Sequence, residues 1–275
     1  MRKLLIVLLL LGAAPGFAYA AEEGPVLQDA HSSLENMASV QRGAKYFVNY
    51  CMGCHSLQYQ RYKRTAADLR IPPDLATKYL VFGTGVKLTD MMDNAMSSSS
   101  AKGWFGVAPP DLSVIARQRG ANWIYTYLKS FYLDPSRPTG ANNLVLPNSA
   151  MPDVLWQLQG LQTASFKTVK NENGETVQQF EGFKQAAPGA LTPEQFNGVA
   201  RDITNFLVYV GEPSQLQRSD VGWAAIVFIL VLIALTYVLK RDVWRDVHGK
   251  PHYHSEDDRL PPDADRDSLR SRESG

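Results

Sequence analysis

The chain has 275 residues, with 28 Lys plus Arg against 27 Asp plus Glu and a formal net charge of +1. That balance excludes a whole-chain nucleic-acid binder, which would carry a basic excess. A composition of 45% hydrophobic and 20% charged residues excludes a wholly disordered chain, and two cysteines exclude a disulfide-rich scaffold.

Met1 to Ala20 follow the plan of a secretory signal peptide. Arg2 and Lys3 precede the unbroken apolar run Leu4 to Leu11, Pro15-Gly16 break it, and Ala18-Tyr19-Ala20 offers small residues for cleavage. The alternative, an N-terminal anchor, would need a longer run. Residues 22 to 38 read as a polar lead-in. Residues 39 to 50 read as a helix capped by Ser39, with Val40, Gly43, Ala44 and Phe47 on one face. Residues 56 to 110 look loop-rich, with Pro72-Pro73, Gly83-Thr84-Gly85, serines at 97 to 100 and Pro109-Pro110. A second helix is expected over 121 to 132, its aromatic face built from Trp123, Ile124, Tyr127, Leu128 and Phe131.

The stretch 134 to 190 is irregular except for a hairpin signal at Asn173-Gly174, between 166–169 and 176–180. The clearest helix is 193 to 210. Thr192 caps it, Pro193 opens it, Gln195 closes a capping box, and Gly211 follows as the stop. Phe196, Val199, Ala200, Ile203, Phe206, Leu207 and Val210 form its apolar stripe.

Val221 to Leu239 are 19 residues without a charge, long enough to cross a hydrocarbon core of about 30 Å. Lys240, Arg241 and Arg245 follow, so the positive-inside rule puts the tail in the cytoplasm, in agreement with export of the N-terminal side. The expected organisation is a signal peptide over 1–20, an exported domain over 21–218, an anchor over 219–240 and a cytoplasmic tail over 241–275. Residues 21 to 220 hold 18 basic and 18 acidic side chains, so no net field names a partner.

Cys51-x-x-Cys54-His55 is the attachment signature of a c-type haem. Two thiols two residues apart on one turn suit the two vinyl groups of a porphyrin, and the adjacent imidazole suits the iron. A thioredoxin-like pair would need a βαβ context. A zinc site would need further Cys or His, and a disulfide across so short a loop is poor geometry. For a sixth ligand, the exported part has His31 as its other histidine, since His248, His252 and His254 lie beyond the span. The methionine candidates are Met37, Met52, Met91, Met92, Met96 and Met151. Met52 lies inside the attachment turn, and Met91, Met92 and Met96 have a spacing that suits helical core fillers. Met151 precedes Pro152 in a loop with a constrained backbone. The residues alone leave this choice open.

Several ordered elements accompany the motif. Gln41-Arg42-Gly43 precedes Cys51 to Ser56. Pro109-Pro110-Asp111-Leu112-Ser113 and Arg117-Gln118-Arg119-Gly120 follow. Then come Ala150-Met151-Pro152, Asp202-Ile203, Phe206-Leu207, Glu212-Pro213 and one span ending at Lys240-Arg241. With this set the chain resembles the cytochrome c1 family, the haem subunit of the quinol:cytochrome c oxidoreductase or bc1 complex.

The resemblance implies a mainly α fold: a class I cytochrome c-type haem domain with long loops, plus one C-terminal transmembrane helix. It implies one covalent haem c held by Cys51 and Cys54, with His55 and Met151 as iron ligands. Pro109 and Pro110 would pack the haem and Arg119 would reach a propionate, while Arg117 reads as solvated. The extra cysteine pair of some bacterial relatives is absent. The implied function is electron transfer from a Rieske iron–sulfur protein to a cytochrome c, beside cytochrome b. The haem domain would lie in the periplasm on a bacterial inner membrane, with membrane lipid around the anchor.

Glu172, Glu175 and Glu181 are interspersed with Lys167, Lys170 and Lys184, so docking residues stay unassigned. Two other classes compete. A membrane-anchored cytochrome c would serve a terminal oxidase, and a haem sensor or catalytic cytochrome would need an exchangeable ligand position.

Overall fold

The computed structural model describes residues 25–170, 174 and 176–248. The expected signal peptide, the tail beyond residue 248 and most of the Asn173-Gly174 turn lie outside the described residues. The chain forms two compact units, one ending at Leu216 and the other beginning at Gln217.

The first unit is built on two crossing helices. Helix α1 (Met37–Tyr46) runs without a break into a π-helical turn, Phe47–Cys51. Its cap is Asn36, whose side chain accepts the Ser39 N–H at 3.1 Å. The expected cap, Ser39, is instead buried one turn in, and its hydroxyl donates to Asp202 Oδ1 at 2.5 Å. Asn36 takes the role because an N-cap side chain must reach back over the first turn, and Ser39 is already helical. The expected apolar face of Val40, Gly43, Ala44 and Phe47 is buried.

The C-terminal helix of this unit spans Pro193–Gly211. Thr192 and Gln195 form the full capping box, Pro193 opens the helix, and every residue of the expected stripe is buried. Gly211 is the last helical residue, not the residue after it. This helix packs on α1. The crossing is close because Gly43 has no side chain: a Cβ there would lie 1.9 Å from the Asp202 carbonyl oxygen. Arg42 clamps the same point, with Nε 2.7 Å from Asp202 Oδ2 and a second nitrogen 2.9 Å from Oδ1. The Gln-Arg-Gly and Asp-Ile elements of the sequence are therefore two halves of one helix contact.

The region expected to be loop-rich is more ordered. It contains strand β1 (Leu57–Arg61), helices α2 (Tyr62–Asp68) and α3 (Pro73–Tyr79), strand β2 (Met91–Met92) and helix α4 (Ser98–Phe105). The turn-forming residues are helix starts: Pro73 opens α3, and Ser97 caps α4 by accepting the Ser100 N–H. Met91 and Met92 lie on a strand, which corrects the helical reading.

Helices α5 (Ile115–Arg119) and α6 (Ala121–Lys129) follow, joined by Gly120 at φ +85°. The expected helix to residue 132 stops at Lys129, and β3 (Phe131–Leu133) pairs with β4 (Ala141–Asn143). After α7 (Trp156–Gln159), β5 (Gly160–Lys170) pairs with β6 (Thr176–Pro188), a longer hairpin than the turn signal implied. With α8 denoting Pro193–Gly211, the described helices dominate, and the strands form three separate antiparallel pairs.

The lead-in is a strap across α6 and α8. Gln28 N–H donates to Thr126 Oγ1, Ala30 N–H to Asn122 Oδ1, and Arg201 donates to the Ala30 carbonyl. The second unit holds most of helix α9 (Gln215–His248), which begins before the expected anchor start at residue 219. Val221–Arg245 is long and apolar enough to cross a membrane: an 18-residue window within it has a mean hydropathy of 2.6, and none of that window is buried inside the chain. An exposed apolar surface of that length is costly in water and fits a membrane anchor.

Gly43→Ala is expected to force α1 and α8 apart and to cost about 1–3 kcal/mol, as overpacking does. Thermal melting of the haem-loaded protein checks this, and an unchanged melt would contradict the close crossing.

Candidate haem-binding site

The π-helical turn delivers the motif. An inserted residue widens the last turn, and such bulges recur at functional sites. Cys54 N–H and His55 N–H both donate to the Cys51 carbonyl, at 3.0 and 2.9 Å. This tight turn brings both thiols and the imidazole to one wall of a cavity of about 410 Å³. That volume falls within the roughly 300–1,000 Å³ range of cofactor sites.

Further walls come from four segments. Phe105, Val107, Pro109, Pro110, Leu112 and Ile115 supply one, and Trp123, Ile124, Tyr127 and Leu128 of α6 another. The loop Leu146 to Pro152 adds Met151, and α8 adds Ile203 and Leu207. No lining residue is Asp, Glu, Lys or Arg, so the cavity is apolar and suits a large flat hydrophobic group.

His55 is buried, and its Nδ1–H donates to the Pro110 carbonyl at 2.7 Å. That bond sets the tautomer and leaves Nε2 with a free lone pair. Burial lowers the His55 pKa, partly offset by the Pro110 bond and by Asp111, so the ring is neutral and competent as a ligand. The Pro-Pro-Asp-Leu-Ser segment is stapled beside the motif. Leu112 N–H donates to the Ser56 carbonyl at 3.0 Å, Gln58 N–H to Asp111 Oδ2 at 2.8 Å, and Tyr59 N–H to Ser113 Oγ at 3.1 Å.

Both cysteines are free, and Cys51 is buried. Burial, with a smaller effect of Cys54, pushes the Cys51 thiol up to about 12. A zinc site would need this thiol as a thiolate. Among the described residues no group of three or more His, Cys, Asp or Glu could hold a metal ion. A buried neutral thiol suits a thioether link instead.

Met151 is the one methionine among the described residues that lines the cavity. Met52 is buried elsewhere and accepts from the Tyr62 hydroxyl at 3.4 Å, Met92 is in the core, and Met96 lines a separate polar cleft. His31 is exposed beside Asp29. The Met151 loop is held by two asparagines that the sequence reading passed over. Asn143, fully buried, accepts from Val145 N–H, Leu146 N–H and Ser130, and donates to the Tyr127 carbonyl. Asn142 accepts from Asn148 N–H at 2.8 Å, and Arg137 donates twice to Asn148. Tyr127 was legible only as part of an aromatic face; its hydroxyl donates to Met151 Sδ at 3.4 Å.

The structure therefore brings Cys51, Cys54, His55, Pro109, Pro110 and Met151 to one cavity. Arg119 is not among the lining residues. It is exposed, with its guanidinium over the Trp123 ring at 5.1 Å, one layer behind the wall.

Residues 29–247 match the cytochrome C1 family. A cytochrome c1 of Allochromatium vinosum is 46% identical over 90% of this chain and all of its own length. A Nitrosomonas europaea protein named ammonia monooxygenase gamma subunit is 40% identical over the same shares. A cytochrome b/c1 of Bradyrhizobium diazoefficiens is 24% identical over 76% of this chain and 33% of its own. The chain belongs to the cytochrome c1 family, the haem electron-transfer subunit that accompanies cytochrome b in the bc1 complex, and it carries one covalently attached haem c.

Asn143→Ala would leave the Val145 and Leu146 N–H groups without their acceptor, each worth about 1–3 kcal/mol when buried, while the Tyr127 carbonyl keeps the Ser130 N–H as a donor. A lowered melting temperature and a lowered yield of haem-loaded protein are expected, and the absence of both effects would contradict the framing role.

Proposed function

We propose that this cytochrome c1 family chain accepts electrons from a Rieske iron–sulfur protein and delivers them to a cytochrome c, with its haem domain in the periplasm and its C-terminus in the cytoplasm. The observation that carries this reading is an apolar cavity lined by Cys51, Cys54, His55 and Met151. The bound haem supplies a one-electron carrier whose iron alternates between the ferric and ferrous states. Cys51 and Cys54 anchor it covalently. His55 would offer Nε2 and Met151 its sulfur to the haem iron, and two such ligands would leave no position for substrate. Pro110 orients His55 through its carbonyl, and the uncharged walls exclude water. Arg119, exposed over the Trp123 ring and outside the cavity lining, is proposed for a haem propionate on the family likeness, since a guanidinium fork suits a carboxylate.

The competing terminal-oxidase role is distinguished by company. Solubilising native membranes and identifying the co-purifying subunits is expected to return cytochrome b and a Rieske protein. Co-purification with an oxidase instead would contradict the proposal.

Met151→Leu is expected to lose the sulfur-to-iron charge-transfer band in the red and to lower the reduction potential substantially, because a thioether ligand raises it. Optical spectra and potentiometric titration check both. Retention of band and potential would remove Met151 from the iron.

A further inference from the structure

Met151 sits in a closed cycle of hydrogen bonds. Its backbone N–H donates to Ser149 Oγ at 3.3 Å, Ser149 Oγ lies 2.9 Å from the Tyr127 hydroxyl, and that hydroxyl donates to Met151 Sδ at 3.4 Å. Counting protons gives the direction. The amide can only donate and the thioether can only accept. Tyr127 has one proton; the bond to sulfur uses it, and the 2.9 Å contact, in which either oxygen can donate, then takes its proton from Ser149. Each hydroxyl in the cycle accepts one bond and donates one, an arrangement in which the bonds polarise each other.

The phenol is placed independently of this cycle. Trp123 stacks on its ring at 4.9 Å and 8°, and Phe131 meets it edge-on at 5.1 Å. Tyr127 and Ser149 are 9% and 6% exposed, so water has little access to substitute for either hydroxyl.

We propose that Tyr127 and Ser149 are positioning residues that orient the Met151 thioether and set the potential of the centre through its sulfur. The proposal rests on Met151 being the axial ligand. A thioether sulfur has two lone pairs, and a hydrogen bond to one leaves the other for iron. The bond draws electron density from the sulfur and makes it a weaker donor. A weaker donor stabilises the ferric state less, so the hydrogen bond raises the potential, a recognised lever on haem iron.

The test uses the full chain in its detergent-solubilised complex, with potentiometric titration and the red charge-transfer band read together. Tyr127→Phe is expected to keep the band, with a shifted maximum, and to lower the potential. Ser149→Ala is expected to lower the potential by a smaller amount, and Ser149→Thr to restore it. An unchanged potential in Tyr127→Phe with the band intact overturns the proposal while leaving the ligand assignment standing. A raised potential in Ser149→Ala also overturns it, because the phenol would then have pointed to the serine. Loss of the band in Tyr127→Phe makes the hydroxyl a requirement for ligation and overturns the tuning role. A band that survives Met151→Leu overturns the ligand assignment itself, and this inference with it.

Discussion

The 2.7 Å hydrogen bond from His55 Nδ1 to the Pro110 carbonyl is the constraint around which the site is arranged. It selects one tautomer of a buried imidazole and frees the other nitrogen for iron. It also joins the attachment turn to the Pro-Pro-Asp-Leu-Ser segment, which the bonds from Asp111 and Ser113 then align with the residues after His55. Prolines suit this place. They lack an N–H but keep a carbonyl acceptor, and their fixed φ holds it steady.

The two proposed ligands are supported differently. His55 follows, across one turn, a helix end locked by the crossing at Gly43 and the Arg42–Asp202 clamp. Met151 belongs to a loop with no regular structure of its own, and side-chain amides from Asn142 and Asn143 replace the missing backbone partners. A carrier of single electrons gains from such rigidity, because the ligands need not move when the iron changes charge. The uncharged cavity wall serves the same end by keeping water away from the metal.

Much of this was legible in the sequence because the signals were local. The Cys-x-x-Cys-His spacing, the Thr192 capping box, the stripe of α8 and the uncharged run from Val221 each declare themselves within a few turns of chain. The misplaced features depended on distant partners. Ser39 looks like a cap until Asp202, far along the chain, is seen to accept from it. The serines at 97 to 100 and the Pro72-Pro73 pair read as loops, although the same residues also start helices. Asn142, Asn143 and Ser149 carry no motif, and their roles exist only once α6 and the Met151 loop are adjacent. Pro109 and Pro110 were picked out through a family likeness as packing residues, but the acceptor role of the Pro110 carbonyl required coordinates.

The account depends most on His55 and Met151 sharing one iron. Iron K-edge X-ray absorption on the purified complex, with the chain's haem resolved by difference from a variant lacking it, reads the ligand shell without relying on colour. A single iron–sulfur shell in the native protein, absent from Met151→Leu, is the predicted result. A native shell of nitrogen alone, or sulfur that survives that substitution, would contradict the account.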